Sequence, residues 1–375
     1  MKIAYITDTQ ESIPPNKYGG IEWMVHHMST MLTNKGHDVT VYGVPQSQAS
    51  LNYKVHSIET TALRDSNIAK DNFKLRDILI NRNLSRAAAH IQLQNYDIVH
   101  NHAGRNFLYF APFLKKQTMV HTTHSTLLQD YQKTLFEEYP IHKLISISLR
   151  QQQLTPTIHY TANVYNAIDV EQYPFCENPQ GAYMSFLGRI SQQKGVLEAI
   201  KVANDTKQFL DIVAIYDPLT DSDYYAEMER MLGDYARYLG EYSLQPKITF
   251  LQNSKVFLFP TQWEEPFGLV LLEAMACGVP VIAFDKGAVP EIIEDGKTGY
   301  IIASSQQDEG KYTVPTWGIK GMKEAVRKIY SMNGVEYAQM RRSCRNLVES
   351  KFHITTMVDN YERAYSDILS KSTND

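Results

Sequence analysis

An α/β protein made of two doubly wound halves is predicted, on three observations. Short apolar runs of strand length alternate with longer amphipathic runs from the first residues onward. That alternation marks a parallel sheet covered on both faces by helices. The plan starts afresh beyond residue 166, and 375 residues exceed one ordinary domain, so two of about 150–200 residues are expected.

The first half opens with KIAYIT (2–7) as a strand, then a helix over IEWMVHHMSTMLTNKG (21–36) that Gly36 stops, then a strand at DVTVYGV (38–44). A shorter strand, YKVHSI (53–58), precedes a long helical stretch over roughly 68–94. Strands DIVHNH (97–102) and TMVHTTH (118–124) follow, then a helix near 127–139 and strands KLISIS (143–148) and HYTANVYN (159–166). Thr7, Asp8, His100, His102 and His124 fall at strand carboxyl ends, where sheets of this kind bind ligands.

NVYNAIDVEQYPF (163–175) reads as the crossover. The second half then runs strand YMSFLG (183–188), helix GVLEAIKVAND (195–205), strand FLDIVAIY (209–216), helix DYYAEMERMLGDYARYL (223–239) and strand ITFL (248–251). Asp221-Ser222-Asp223, ahead of that helix, reads as its cap. Three helical runs close the chain, at 318–331, 335–351 and 354–370. The last has an apolar face of Met357, Tyr361, Ala364, Tyr365 and Ile368, spaced by three or four.

Composition, with 43% hydrophobic and 21% charged residues, is that of a globular protein. No apolar run approaches the roughly 20 residues that span a bilayer, and MKIAYITDTQ goes straight into a strand without the regions of a signal peptide, so a cytoplasmic location is expected. Cys176, Cys277 and Cys344 are odd in number and far apart, which suggests neither a disulfide framework nor a zinc site. Charge is uneven: 16 Lys+Arg against 12 Asp+Glu up to residue 165, and 21 against 29 after it. The mildly basic half suits a phosphorylated or anionic-lipid acceptor, and chance explains the split as well. No nucleic-acid partner is expected.

The richest stretch chemically is 256–300, VFLFPTQWEEPFGLVLLEAMACGVPVIAFDKGAVPEIIEDGKTGY. A buried-strand run ends at the polar corner 261–265, Gly268 opens an apolar helix, and Cys277-Gly278 stops it before a strand at 281–284. Glu265 stands at the corner, and Glu273 lies inside the helix among Leu271, Leu272, Ala274, Met275 and Ala276. A charge in such a helix is costly unless something pairs with it. Gly268, Leu269 and Val270 would present free N–H groups at the helix N-terminus, a place for an anion. A nucleotide sugar suits the set, with its hydroxyls at Glu265, its diphosphate at the helix end and its ribose at Glu273. An amphipathic helix that happens to carry two acids would show the same bare spacing.

Glu265-x7-Glu273 within EPFGLVLLEAMACGVPVIA resembles the E-x7-E signature of retaining GT-B glycosyltransferases, the large family-four group. The resemblance spans nearly the whole chain and is specific in the second half. It implies a GT-B fold: two Rossmann-like domains with a cleft between them. Residues 1–165, completed by a C-terminal helix of about 354–375 that crosses back, would form the acceptor domain, and 166–353 the nucleotide-sugar donor domain. It implies Glu265 on the donor sugar and Glu273 on the ribose. Glu264 is also present, but only Glu265 has the spacing.

GRISQQKG (188–195) resembles the same family's G-R-x-x-x-x-K-G element, which assigns Arg189 and Lys194 to the donor phosphates. Arg189 ends a strand and Lys194 begins the next helix, an arrangement that aims two cations at one spot. Cations there would stabilise a departing diphosphate; an Arg–Lys pair alone is usually a solvated face. Gly19-Gly20, in PPNKYGGIEW (14–23), permits close backbone approach, and the resemblance puts it against the donor phosphate and acceptor; an ordinary turn has the same residues. The G-x-G-x-x-G spacing is absent, so a nicotinamide cofactor has little support. The resemblance also places His124 by the donor sugar, stabilising the transition state. His102 is assigned to the acceptor side. His100 and His102 share a strand face but lack a third metal ligand, and neither a metal nor a cofactor is expected beside the nucleoside diphosphate sugar. Tyr216-Asp217-Pro218 stands where the family usually has a glycine-containing turn, which leaves the base open, and Asn166-Ala167-Ile168-Asp169 replaces NG-x-D.

The expected function is a retaining, metal-independent transfer of a hexose from a nucleoside diphosphate sugar to an acceptor hydroxyl, on a glycan, a lipid-linked carrier or a small molecule, in polysaccharide or glycoconjugate biosynthesis. The alternatives are a sugar-nucleotide epimerase of the same fold and a non-catalytic two-lobed sugar binder. The stretch 68–94, with Lys70, Lys74, Arg76, Arg82 and Arg86 beside Ile78, Leu79, Ile80 and Leu84, could lie peripherally on the inner face of an anionic membrane. A surface helix packed on its own sheet is the more frequent meaning of such a stretch.

Overall fold

The computed structural model describes all residues except 16–18, 48, 67–71, 115, 126–129, 139–142, 178, 218–219 and 373–375. It forms two compact units, Met1–Ala167 together with Ile354–Asp375, and Ile168–His353.

The first unit carries β1 (Lys2–Ile6), β2 (Ser12–Ile13), α1 (Gly20–Asn34), β3 (Asp38–Pro45), β4 (Lys54–Ser57), α2 (Phe73–Ile91), β5 (Ile98–Asn101), β6 (Thr118–Thr122), α3 (Asp130–Glu138), β7 (Lys143–Ser146), α4 (Leu149–Leu154) and β8 (Tyr160–Asn163). All the described pairings are parallel, in the order β2-β3-β1-β5-β6-β7-β8 with β4 also against β3. Alternation along β1 explains its two-sided burial. Ile3 and Tyr5 face the layer of α1, with Val39, Val41 and Ile98. Ala4 and Ile6 face that of α2, with Leu84, Ala87, Ala88 and Ile91. Of the helix expected over 68–94, α2 begins at Phe73, with the Asn72 side chain accepting from the Leu75 N–H as its cap; residues 67–71 lie outside the described ones. So do parts of the helix expected near 127–139, of which α3 is the described portion.

The second unit carries β9 (Met184–Arg189), α5 (Val196–Thr206), β10 (Leu210–Ile215), α6 (Ser222–Met231), β11 (Ala236–Tyr238), α7 (Leu244–Gln252), β12 (Val256–Phe259), α8 (Leu269–Ala276), β13 (Val281–Phe284), α9 (Val289–Ile292), β14 (Gly299–Ile302), α10 (Gly318–Ser331) and α11 (Gly334–Lys351). Its sheet is parallel, ordered β11-β10-β9-β12-β13-β14. The strand order reverses between β9 and β12, the point where doubly wound sheets bind ligands.

Two expectations fail here. ITFL (248–251) is part of α7 and not a strand. A four-residue apolar run cannot be told from a turn of buried helix by periodicity, and Pro246 is tolerated because it lies in the helix's first turn. The missing strand comes from the preceding segment: α6 ends at Met231, Gly233 takes φ 62°, and 236–238 pairs with β10 as β11.

The last helix, α12 (Ile354–Ser372), belongs to the first unit and buries Met357, Val358, Tyr361, Ala364, Tyr365 and Ile368 in its core. Full burial of one such apolar side chain is worth about 1.5–3 kcal/mol. The seam is also polar: the Tyr365 hydroxyl lies 3.0 Å from the Tyr5 hydroxyl and 2.6 Å from His100 Nδ1, while His100 Nε2 meets Thr122 Oγ1 at 2.8 Å. His100, read with His102 as a conceivable metal pair, is thus a fully buried tie between sheet and helix. Tyr365→Phe should lower unfolding free energy by about 1–3 kcal/mol, since two buried groups lose their partner; a urea midpoint shift at unchanged slope would show it.

Candidate active site

The loop after β12 and the helix α8 gather most of the expected donor residues. Gly268 stands at the N-cap with φ 99°, a left-handed geometry that favours glycine. Behind it Leu269 and Val270 start a helix whose first N–H groups have no intrahelical partner. Glu265 is 7% exposed. Its Oε2 accepts from Lys194 Nζ at 2.5 Å and from Trp263 Nε1 at 2.9 Å, and Lys194 lies over the Trp263 ring at 5.3 Å. The loop after β13 fixes the backbone of this corner: the Ala288 N–H donates to the Glu265 carbonyl at 2.9 Å, and a Cβ on Gly287 (φ 57°) would collide with the Glu265 main chain. The neighbouring Glu264 turns away and accepts from the Gly287 N–H at 3.0 Å.

Glu273, mid-way along α8, is 9% exposed. The partner that a buried carboxylate requires is double: Lys247 Nζ at 2.6 Å and the Tyr173 hydroxyl at 2.8 Å, both on Oε1. Burial, with Glu273 beside it, pushes the Tyr173 phenol far above its usual range, so it keeps its proton and donates. Glu273 Oε2 is buried without a hydrogen-bond partner. Sequence reasoning named neither Tyr173 nor Lys247; Lys247 lies in α7, where a strand over 248–251 was expected instead of a helix.

Arg189 and Lys194, expected to aim at one spot, bond to different carboxylates. Arg189 donates through Nε to Asp221 Oδ2 at 2.8 Å and through Nη2 to Thr220 Oγ1 at 2.7 Å. Asp221 occupies the N-cap position of α6 but makes no side-chain cap bond; its carboxylate holds Arg189 and the Asp217 N–H instead. That corrects its reading as a helix cap. In the departure at 216–218, Tyr216 stacks on Tyr225 at 4.3 Å, and Pro218 lies outside the described residues.

In the first unit, the ends of β5 and β6 bring His102 and His124 together, with Nδ1 of His102 2.9 Å from Nε2 of His124. The His102 N–H is fixed on the Ile6 carbonyl at 2.8 Å, and its Nε2 is buried and unpartnered. Burial lowers both imidazoles, His102 well below its usual value and His124 to about 4. Both are therefore neutral at pH 7 and share one N–H between them. Gly19 is the N-cap of α1 and Gly20 its first residue; 16–18 are not described. In the first turn of α1 the buried Glu22 is raised to about 8, by burial and then by Asp8, so it stays protonated at neutral pH. An acid two residues beyond the glycine pair was the signal for it.

Residues 174–314 match the family described as glycosyl transferases group 1, and residues 18–162 match glycosyltransferase family 4. The chain belongs to the group 1 glycosyltransferases. Among its relatives, spore coat protein SA of Bacillus subtilis (strain 168) is 24% identical over 80% of this chain and 85% of that one. The phosphatidyl-myo-inositol mannosyltransferase of Mycobacterium tuberculosis (strain CDC 1551 / Oshkosh) is 23% identical over 82% and 84%. In solved structures the same fold occurs in sucrose-phosphate synthase from Thermosynechococcus elongatus (TM-score 0.79, 16% identity, 99% and 100% coverage). It also occurs in Anabaena HepE in complex with UDP-glucose (TM-score 0.73, 15% identity, 98% and 100% coverage). The fold is GT-B, with two Rossmann-like units, and the family's activity is glycosyl transfer.

The neutral histidines give a pH dependence. An imidazole that takes its proton near 6.5 when unfolded, and only near 4 when folded, stabilises the native state above pH 6.5 and loses that contribution as pH falls towards 4. Melting temperatures between pH 7 and 4.5 should decline accordingly, with His124→Gln flattening the decline.

Proposed function

We propose that this glycosyltransferase is retaining and metal-independent and that it binds its donor on the second unit at the β9–β12 switch point. The observation that carries the reading is the arrangement around α8: a helix N-terminus beside Lys194 and Glu265, with a buried carboxylate oxygen open at Glu273. The diphosphate sits at the N–H groups of Gly268, Leu269 and Val270, with Lys194 and Arg189 as the cations that stabilise its charge as it leaves. Glu265 meets the donor sugar and Glu273 the ribose. Gly19 and Gly20 take the phosphate and acceptor side.

His124, neutral, stabilises the sugar-bearing transition state as a hydrogen-bonding group rather than as a cation, and His102 serves the acceptor side. A glycosidase-like nucleophile and acid pair is not part of the scheme, because Glu265 is engaged by Lys194 and Trp263. Retention instead follows from attack on the face the diphosphate leaves, with the departing phosphate accepting the acceptor proton. Polysaccharide or glycoconjugate synthesis is the setting.

A lipid-linked acceptor is the finer form of the proposal, supported by the relative named for phosphatidyl-myo-inositol. No helix among the described residues is long and apolar enough to cross a membrane. On α2, however, Ile78 is 61% exposed with Lys74, Arg82 and Arg86 also exposed, a surface that suits peripheral contact with an anionic bilayer. Lys74→Glu with Ile78→Asp should abolish sedimentation with phosphatidylglycerol vesicles; unchanged sedimentation, or none by the parent, removes the membrane contact.

The donor reading is tested by thermal shift against uridine, guanosine and adenosine diphosphate sugars, with and without EDTA. Stabilisation by one series that EDTA leaves unchanged is expected; loss with EDTA overturns metal independence. Glu273→Ala should raise the donor KM, whereas Glu265→Ala should lower kcat by about 100-fold or more, as for loss of a group that acts in the transition state.

A further inference from the structure

We infer that Tyr173 and Lys247 are positioning residues that make Glu273 a one-oxygen acceptor, so that the enzyme reads a single hydroxyl of the donor's ribose. The inference rests on the reading of Glu273 as the ribose-holding carboxylate. An ionised carboxylate can accept through both oxygens and could grip two neighbouring hydroxyls at once. Here Oε1 is already engaged twice, by the Tyr173 hydroxyl at 2.8 Å and Lys247 Nζ at 2.6 Å. Oε2 is buried and has no partner. A buried acceptor left unsatisfied is costly, and a hydroxyl donated by a bound ligand removes that cost.

Both positioning groups are themselves held. The Tyr173 carbonyl accepts from Arg345 Nη1 of α11 at 2.6 Å, and the same nitrogen reaches the Ala276 carbonyl at the end of α8 at 3.1 Å. Gln252, at the end of α7, donates to the Pro174 carbonyl at 2.7 Å, which ties the helix of Lys247 to the segment of Tyr173. Lys247 Nζ lies 5.5 Å from the Tyr173 ring centre, so the ammonium and the phenol converge on one oxygen from adjacent sides. Tyr173 and Lys247 thus keep the carboxylate from rotating and leave Oε2 as the oxygen that accepts from a ligand. Neither touches the reacting sugar in this scheme, so their loss falls on donor affinity and not on turnover.

The experiment measures kcat, donor KM and nucleotide Kd for the full chain and for Tyr173→Phe, Lys247→Met, Lys247→Arg and Glu273→Ala, with melting temperatures to confirm folding. The binding probes are uridine, guanosine and adenosine diphosphates with their 2′-deoxy and 3′-deoxy forms. Tyr173→Phe and Lys247→Met should each raise KM roughly tenfold or more, the size expected for a bond to a charged group, with kcat within about twofold. Lys247→Arg should recover much of the affinity. One deoxy form should bind as the parent nucleotide does, and the other should be weakened as far as Glu273→Ala weakens the parent. Equal weakening of both deoxy forms, or folded Tyr173→Phe and Lys247→Met with unchanged KM, overturns the inference while a weakened Glu273→Ala leaves the ribose reading standing. A Glu273→Ala protein that binds nucleotide as the parent does overturns both.

Discussion

A carboxylate in the interior of an apolar helix constrains the whole second unit. Around Glu273, α8 is made of Leu271, Leu272, Ala274, Met275 and Ala276, all fully buried. Such a charge survives only if opposite charge and donors reach it, and those come from far along the chain: Tyr173 from the crossover and Lys247 from α7. Arg341 and Arg345 of α11 then grip the carbonyls at the far end of α8 and of the crossover. Three segments, the crossover, α7 and α11, are therefore organised about one helix, and the ligand-facing oxygen is what their bonds leave over.

The neighbouring corner follows a different logic. Glu265, equally buried, precedes the N-terminus of the same helix, and its carboxylate is steered by side chains, Lys194 and Trp263, while its backbone is steered by the glycine loop after β13. Two consecutive acids, Glu264 and Glu265, go to different partners, one onto the Gly287 N–H of that loop and one onto Lys194 and Trp263. In the first unit, burial does comparable work: it keeps His102 and His124 neutral and, with Asp8 nearby, Glu22 protonated, so these are hydrogen-bonding groups at neutral pH.

Much of this was legible in the sequence because the relevant signals are local. The parallel α/β plan, the helix start at Gly268, and the inward face of the last helix follow from periodicity and from glycine placement. The need for a partner to Glu273 was legible too, from charge in an apolar run. Its identity was not, since Lys247 is 26 residues away in the chain and its helix competes with a strand over ITFL. Asp221 shows the same limit: the capping position is local information, but the pull of Arg189, 32 residues away, decides where the carboxylate goes. His100 and His102 share a face as the period of two requires, yet one is a structural tie and the other an open donor or acceptor. Only the return of α12 distinguishes them.

That return has a consequence for synthesis. Ribosomes deliver the chain from its N-terminus at about 5–20 residues per second, and domains usually complete in the order they emerge. Here the first-made sheet lacks Met357, Tyr361, Tyr365 and Ile368 until the final segment has left the tunnel. The later-made unit, Ile168–His353, is continuous and can close before the earlier one does. A nascent chain halted anywhere before residue 354 would leave His100, Thr122 and Tyr5 facing a gap in place of their tyrosines. Closure of the N-terminal core thereby waits for α12.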